Sequence, residues 1–185
     1  EGYGLNKEAI KHLHDTGTDL VLTVDNGIVS FDEVDYANRL GLDMIITDHH
    51  SPRDTLPRAV AVVDPKVTWR DQPEAYDEHF CLRDRRRRLY PFLDLCGAGV
   101  AFKLVEALGQ TFPDDLPTGQ EKWLLDLVAI ATVSDIVTLA DENRALVYWG
   151  LKVLQKTRRP GVKALVAVAG LDLTEVDSQA IGYML

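Results

Sequence analysis

Asp48-His49-His50 sets an acid and two imidazoles where the β-forming run Met44-Ile45-Ile46-Thr47 gives way to the loop residues Ser51-Pro52. Packing gives no reason for such a trio at the mouth of a buried strand, because polar groups withdrawn from water need partners. A divalent cation is the simplest partner that all three can share. Asp25 closes the preceding β-rich run, Leu20-Val21-Leu22-Thr23-Val24, in the same manner, and Gly27 permits the tight exit a cleft-facing carboxylate needs. Asp135 is the third candidate, with Ala131 and Val128 on the same helical stripe before it. Plain alternatives stand beside these readings. An aspartate after a strand often caps a helix or makes a turn, and Asp135 could equally end its helix at the surface.

Carboxylates and imidazoles without thiolates suit Mn²⁺ or Mg²⁺. Paired ions of this kind drive in-line displacement at phosphorus, activating water and steadying charge on the attacking and leaving oxygens.

Such residues work only if the fold delivers them to one place. The pattern predicts a helix over Leu5–Thr16, a strand at Leu20–Val24, and a helix from Ser30, a good N-cap, to Gly41. Strands follow at Met44–Thr47 and Ala59–Val63, the latter closed by the turn pair Asp64-Pro65. Strand, helix, strand at this spacing implies a right-handed crossover and a parallel sheet of the α/β class, apolar on both faces. Ligands of such sheets sit outside the carboxyl ends of the strands, where Asp25 and the Asp48 trio would meet.

Residues 66–90 read as an irregular, charged insertion that holds an arginine run, Arg83 and Arg85 to Arg88, which could contact phosphates but is expected to be a solvated loop. Beyond it the chain turns helical: Val100–Leu108 after Gly97-Ala98-Gly99, then Glu121–Val137, Asn143–Thr157 and Gly161–Ala169. The glycine pair before the first of these fits close helix packing nearly as well as a phosphate contact. Trp69, Trp123 and Trp149 could stack bases, but Trp123 and Trp149 fall at helical spacing with core residues and read as packing, while His12, His14 and His79 receive no role. Residues 1–140 are expected to form a partial α/β catalytic domain, and 141–185 its helical continuation.

The chain has 185 residues, 46% hydrophobic, and a net charge of −9, which disfavours a surface that coats nucleic acid indiscriminately. Cys81 and Cys96 fit neither a zinc spacing nor a disulfide framework, so a reducing cytoplasm is expected. No apolar run is long enough to span a bilayer. The chain begins on Glu1 and ends on Ile181-Gly182-Tyr183-Met184-Leu185, which reads as a piece of something longer.

Val24-Asp25-Asn26-Gly27, Thr47-Asp48-His49-His50 and Val133-Ser134-Asp135, in this order, resemble motifs II, III and IV of the DHH phosphoesterase superfamily. Glu1-Gly2-Tyr3-Gly4-Leu5, Gly97 to Lys103, Glu142-Asn143-Arg144 and Pro160 to Leu165 resemble the RecJ branch, the single-stranded-DNA 5′→3′ exonucleases. The resemblance implies a two-metal phosphodiesterase using Mn²⁺ or Mg²⁺, acting on single-stranded DNA in repair and recombination. A single-strand-binding protein and a helicase are the implied partners. It also implies that Asp25 bridges the metals, that His49 and Asp135 bind one of them, that Asp48 orients a histidine, and that His50 contacts or supports phosphate. The first motif, an aspartate pair on a strand, is expected ahead of Glu1, and the family's substrate-binding and oligonucleotide-binding-type domains outside this stretch. Two rivals belong to other classes: a relative acting on oligoribonucleotides, cyclic dinucleotides or pyrophosphate, and a non-catalytic module that keeps the fold as a scaffold.

Overall fold

The computed structural model describes residues 4–67 and 90–184. Most of the insertion, with the arginine run, Trp69, His79 and Cys81, lies outside the described residues. The chain divides into two compact units, Glu1–Leu93 and Asp94–Leu185.

The first unit opens with helix α1 (Lys7–Asp15), capped by Asn6, whose side chain accepts from the Ala9 N–H at 2.8 Å. Strand β1 (Leu20–Val24), helix α2 (Phe31–Leu40), strand β2 (Asp43–Thr47) and strand β3 (Ala61–Val63) follow. The strands form one parallel sheet in the order β1-β2-β3. Ser30 stands at the N-cap of α2 without a side-chain capping bond, and Gly41 ends the helix at φ 75°, a left-handed conformation that suits glycine. Ile10 from α1, Val34 and Ala37 from α2, and Leu42, Met44 and Ile46 around β2 make the core. The strand at 59–63 is shorter than its β-rich sequence suggests, starting at Ala61.

The expectation that the strands are covered on both faces holds for β2 and fails for β1. Leu20, Leu22 and Val24 alternate along one face of β1 and are exposed. Period-two alternation puts all three on the same side, and β1 is an outer strand of the three described. A run of apolar residues reads alike whether or not both faces are covered.

The second unit contains α3 (Gly97–Thr111), a 3₁₀ turn (Glu121–Leu124), α4 (Leu125–Ser134), α5 (Asp141–Leu154), α6 (Pro160–Val168) and α7 (Ser178–Met184). Helix α3 starts three residues earlier than the pattern predicts, with Cys96 Sγ accepting from the Gly99 N–H at 3.4 Å. The long helix expected over 121–137 is a 3₁₀ turn followed by a shorter helix. It ends where Ile136 takes φ 57°, a left-handed value that halts an α-helix within an apolar run. Helices α4 and α5 meet at their backbones. A Cβ added at Gly150 would lie 2.3 Å from the Leu125 carbonyl oxygen and 2.5 Å from Ala129 Cβ, so only glycine fits this crossing. Leu154, Val166, Val176 and Ile181 form the core beneath α6 and α7. Trp123 and Trp149, expected to pack inside, are both exposed. Among the described residues no helix is long and apolar enough to cross a membrane.

Candidate metal centre

Parallel pairing of β1 with β2 sets Val24 opposite Thr47, so Asp25 and Asp48 leave their strands side by side. The Asp25 N–H still donates to the Thr47 carbonyl (3.0 Å), and the Asp48 N–H to that of Val63 (3.1 Å). Just past the ladder, Asp25 adopts φ 67°. This conformation is uncommon for a residue with a side chain, though Asp and Asn tolerate it best, and such outliers gather at functional sites. Gly27, at φ 113°, turns the chain back beneath the strand ends; a Cβ there would sit 3.1 Å from Thr23 Oγ1 and 3.2 Å from Ile46 Cγ2.

Asp48 is only 1% exposed and ties the two loops together. Its Oδ2 accepts from the Ile28 N–H at 3.0 Å. Its Oδ1 accepts from the N–H groups of His49 (2.8 Å) and His50 (3.2 Å) and lies 2.7 Å from His50 Nδ1. Burial pushes the Asp48 carboxyl up, but the hydrogen bonds from Ile28, His50 and His49 outweigh it and hold the pKa below the usual 3.8. Asp48 is thus an anion already filled with donors. Its bond to His50 Nδ1 turns that imidazole so that Nε2 is left for another partner, the carboxylate–histidine arrangement common at metal sites.

Asp25 and His49 behave differently. Asp25 Oδ1 is 3.0 Å from His49 Nε2. Yet that oxygen is sealed from solvent and has no hydrogen-bond partner among the described residues, so the approach is close without being a hydrogen bond. Two ligands at right angles, each ~2.1 Å from one octahedral ion, stand ~3.0 Å apart. The spacing of Asp25 Oδ1 and His49 Nε2 therefore fits a hard divalent ion. Ligand atoms of Asp25, His49 and His50 lie within 4.8 Å of one another. Opposite ligands of one such ion are ~4.2 Å apart, and within the cluster Asp25 and His49 are the pair that stands at 3.0 Å.

Asp64 is a neighbour whose role in turn formation was legible and whose burial was not. Its Oδ1 accepts from the Lys66 N–H at 2.7 Å, while Oδ2 is buried without a partner among the described residues. Burial, with a contribution from the Asp48 charge, raises its pKa from 3.8 to about 6. A carboxyl whose pKa is higher folded than unfolded holds its proton more tightly in the native state, so stability declines as pH rises from 3.8 to about 6. Asp64→Asn in metal-free protein is expected to remove that decline and to stabilise at neutral pH by about 1–3 kcal/mol. Urea unfolding across this pH window tests it, and an unchanged slope would contradict it.

Asp135 lies in the second unit, at the C-cap of α4 with φ −79° and ψ −3°, and is exposed. Of its two readings, position on the apolar stripe and helix end at the surface, the backbone matches the second. The buried carboxylate of α4 is Asp126, which sequence patterning passed over. It accepts from Thr157 Oγ1 (2.7 Å), the Leu127 N–H (2.8 Å) and Arg159 Nε (3.0 Å). This accounts for Arg159 immediately before Pro160, the residue that opens α6: its side chain clamps the start of α6 to α4.

The sequence profile of the DHH family, N-terminal domain, matches residues 3–132. The single-stranded-DNA-specific exonuclease RecJ of Bacillus subtilis (strain 168) is 41% identical over 185 residues, all of this chain and 20% of that protein. That of Escherichia coli (strain K12) is 39% identical over 194 residues, covering 30% of its length. The chain thus spans less than a third of either curated relative. Among solved structures, exonuclease RecJ bound to manganese aligns with a TM-score of 0.73 at 30% identity, covering 100% of this chain and 40% of the other. RecJ of Thermus thermophilus in complex with Mn²⁺ aligns at 0.72 and 28%, covering 97% and 23%. With most of its length matched by the profile, the chain belongs to the DHH family.

Proposed function

We propose that this chain is the metal-holding part of an exonuclease that hydrolyses single-stranded DNA from its 5′ end. The observation that carries the reading is Asp25 Oδ1, sealed from solvent and without a hydrogen-bond partner among the described residues, set 3.0 Å from His49 Nε2. Mn²⁺ or Mg²⁺ would be held by Asp25 and His49. Asp135 joins them on its motif resemblance alone, and His50 faces the substrate phosphate. Bound ions of this type activate water and neutralise the charge that develops on the phosphoryl oxygens. The chain's own residues do the rest. Asp48 stays ionised, fixes the His50 tautomer and pins both strand-end loops. The parallel register holds the acid of one strand against the imidazole of the next. The names of the relatives supply the substrate class; the single-strand-binding protein and the helicase rest on the motif resemblance alone, and the cytoplasmic location on the cysteine pattern.

The test is calorimetric titration of the protein with Mn²⁺, paired with release of mononucleotides from 5′-labelled single strands by the full-length protein. Saturable Mn²⁺ binding and hydrolysis that EDTA stops are expected. Absence of Mn²⁺ binding would instead favour a scaffold role, and preference for dinucleotides or pyrophosphate over long strands another branch of the family.

A further inference from the structure

Trp123 and Trp149 are 58% and 60% exposed, large planar side chains that a packed core would have covered. Both line a cleft of about 550 Å³ together with Lys122, Lys152 and Lys156. A second cleft of about 550 Å³ shares Trp123 and Lys156 and adds Arg158. The two are therefore one continuous surface on the second unit, with indole rings set among cations.

The charges on this surface are not balanced by their neighbours. Two acids line it, and both are engaged: Glu106 with Lys103 at 2.8 Å, and Asp126 with Arg159 at 3.0 Å. Lys122, Lys152, Lys156 and Arg158 make no ion pair among the described residues. In a chain of net charge −9, cations without ion pairs among the described residues, set around a cleft that Phe102, Leu125, Leu146 and Val153 also line, are a local departure that matches a polyanion carrying flat apolar bases. Exposed aromatic faces interleaved with cations are how proteins hold single strands without reading their sequence: bases stack on the rings and phosphates follow the cations.

From this juxtaposition we infer that the surface is a subsite for one strand of nucleic acid, with bases against Trp123 and Trp149 and phosphates along Lys122, Lys152, Lys156 and Arg158. The subsite uses no residue of the metal centre and requires no metal. Its failure is thus separable from failure of the hydrolase reading.

The experiment is titration of the protein with an oligothymidylate in EDTA, followed by tryptophan fluorescence. Quenching on binding is expected. W123A combined with W149A lowers affinity about tenfold or more. K152E combined with K156E weakens binding and reduces the slope of log affinity against log salt by about one to two units. Both pairs alter exposed positions, and circular dichroism confirms that each variant is folded. Unchanged affinity in both folded variants overturns the inference. So does self-association of the parent that W123A with W149A abolishes while oligonucleotide affinity stays the same, since the face would then be a protein contact.

Discussion

Asp25→Asn is expected to lower hydrolysis of single-stranded DNA by the full-length, metal-loaded protein at least about a thousandfold, with thermal stability of the metal-free protein altered by less than about 1 kcal/mol. The size of the loss follows from the position of the side chain. Substitutions that only support a ligand typically cost about 10–100-fold, whereas Asp25 Oδ1 is itself the atom beside His49 Nε2. Asparagine is the informative replacement because Asp25 stands at φ 67°. Asn tolerates that backbone, while alanine there adds about 1–2 kcal/mol of strain and mixes a folding defect with a chemical one. The expectation for Asn is weak Mn²⁺ binding by calorimetry, near-zero turnover and an unchanged melting curve. Normal turnover would show that the acid does no metal chemistry.

Asp48→Ala should act mainly on folding, destabilising the first unit by about 3–5 kcal/mol. Removing the carboxylate strips acceptors from the backbone N–H groups of Ile28, His49 and His50 and from His50 Nδ1. Buried donors without partners cost about 1–3 kcal/mol each, and water can reach only some of them. The carboxylate's contribution is present above pH 3.8 and is lost as pH falls through its lowered folded value. The parent should therefore weaken in acid where the variant does not. Urea unfolding by fluorescence measures both effects; a loss below about 1 kcal/mol would mean that Asp48 is not the clamp its hydrogen bonds describe.

Much of this was visible in the order of residues. Leu20–Val24 is a strand with the bounds its β-rich run suggests, and Ile10, Val34 and Ala37 are buried as their spacing requires. Asp25, His49 and His50 stand together because parallel strands carry the residues after them to one edge. Hydropathy failed where backbone conformation or solvent decided. The apolar run through Val137 concealed a break at Ile136, since a single dihedral leaves no trace in composition. Trp123 and Trp149 sit at spacing suited to a core, but periodicity cannot tell a stripe that is covered from one that is bare. The pairing of Asp126 with Arg159 was hidden because its partners are far apart in sequence.

The Val24–Thr47 pairing has a bearing on how the protein folds. Sliding β2 by one position would move its exit by about 3.3 Å and send alternate side chains to the opposite face. On the proposed function, the carboxylate and imidazole would then no longer be able to share a cation. An ion that binds only the aligned arrangement stabilises it by mass action, so Mn²⁺ held there would favour the native sheet over its slipped competitors.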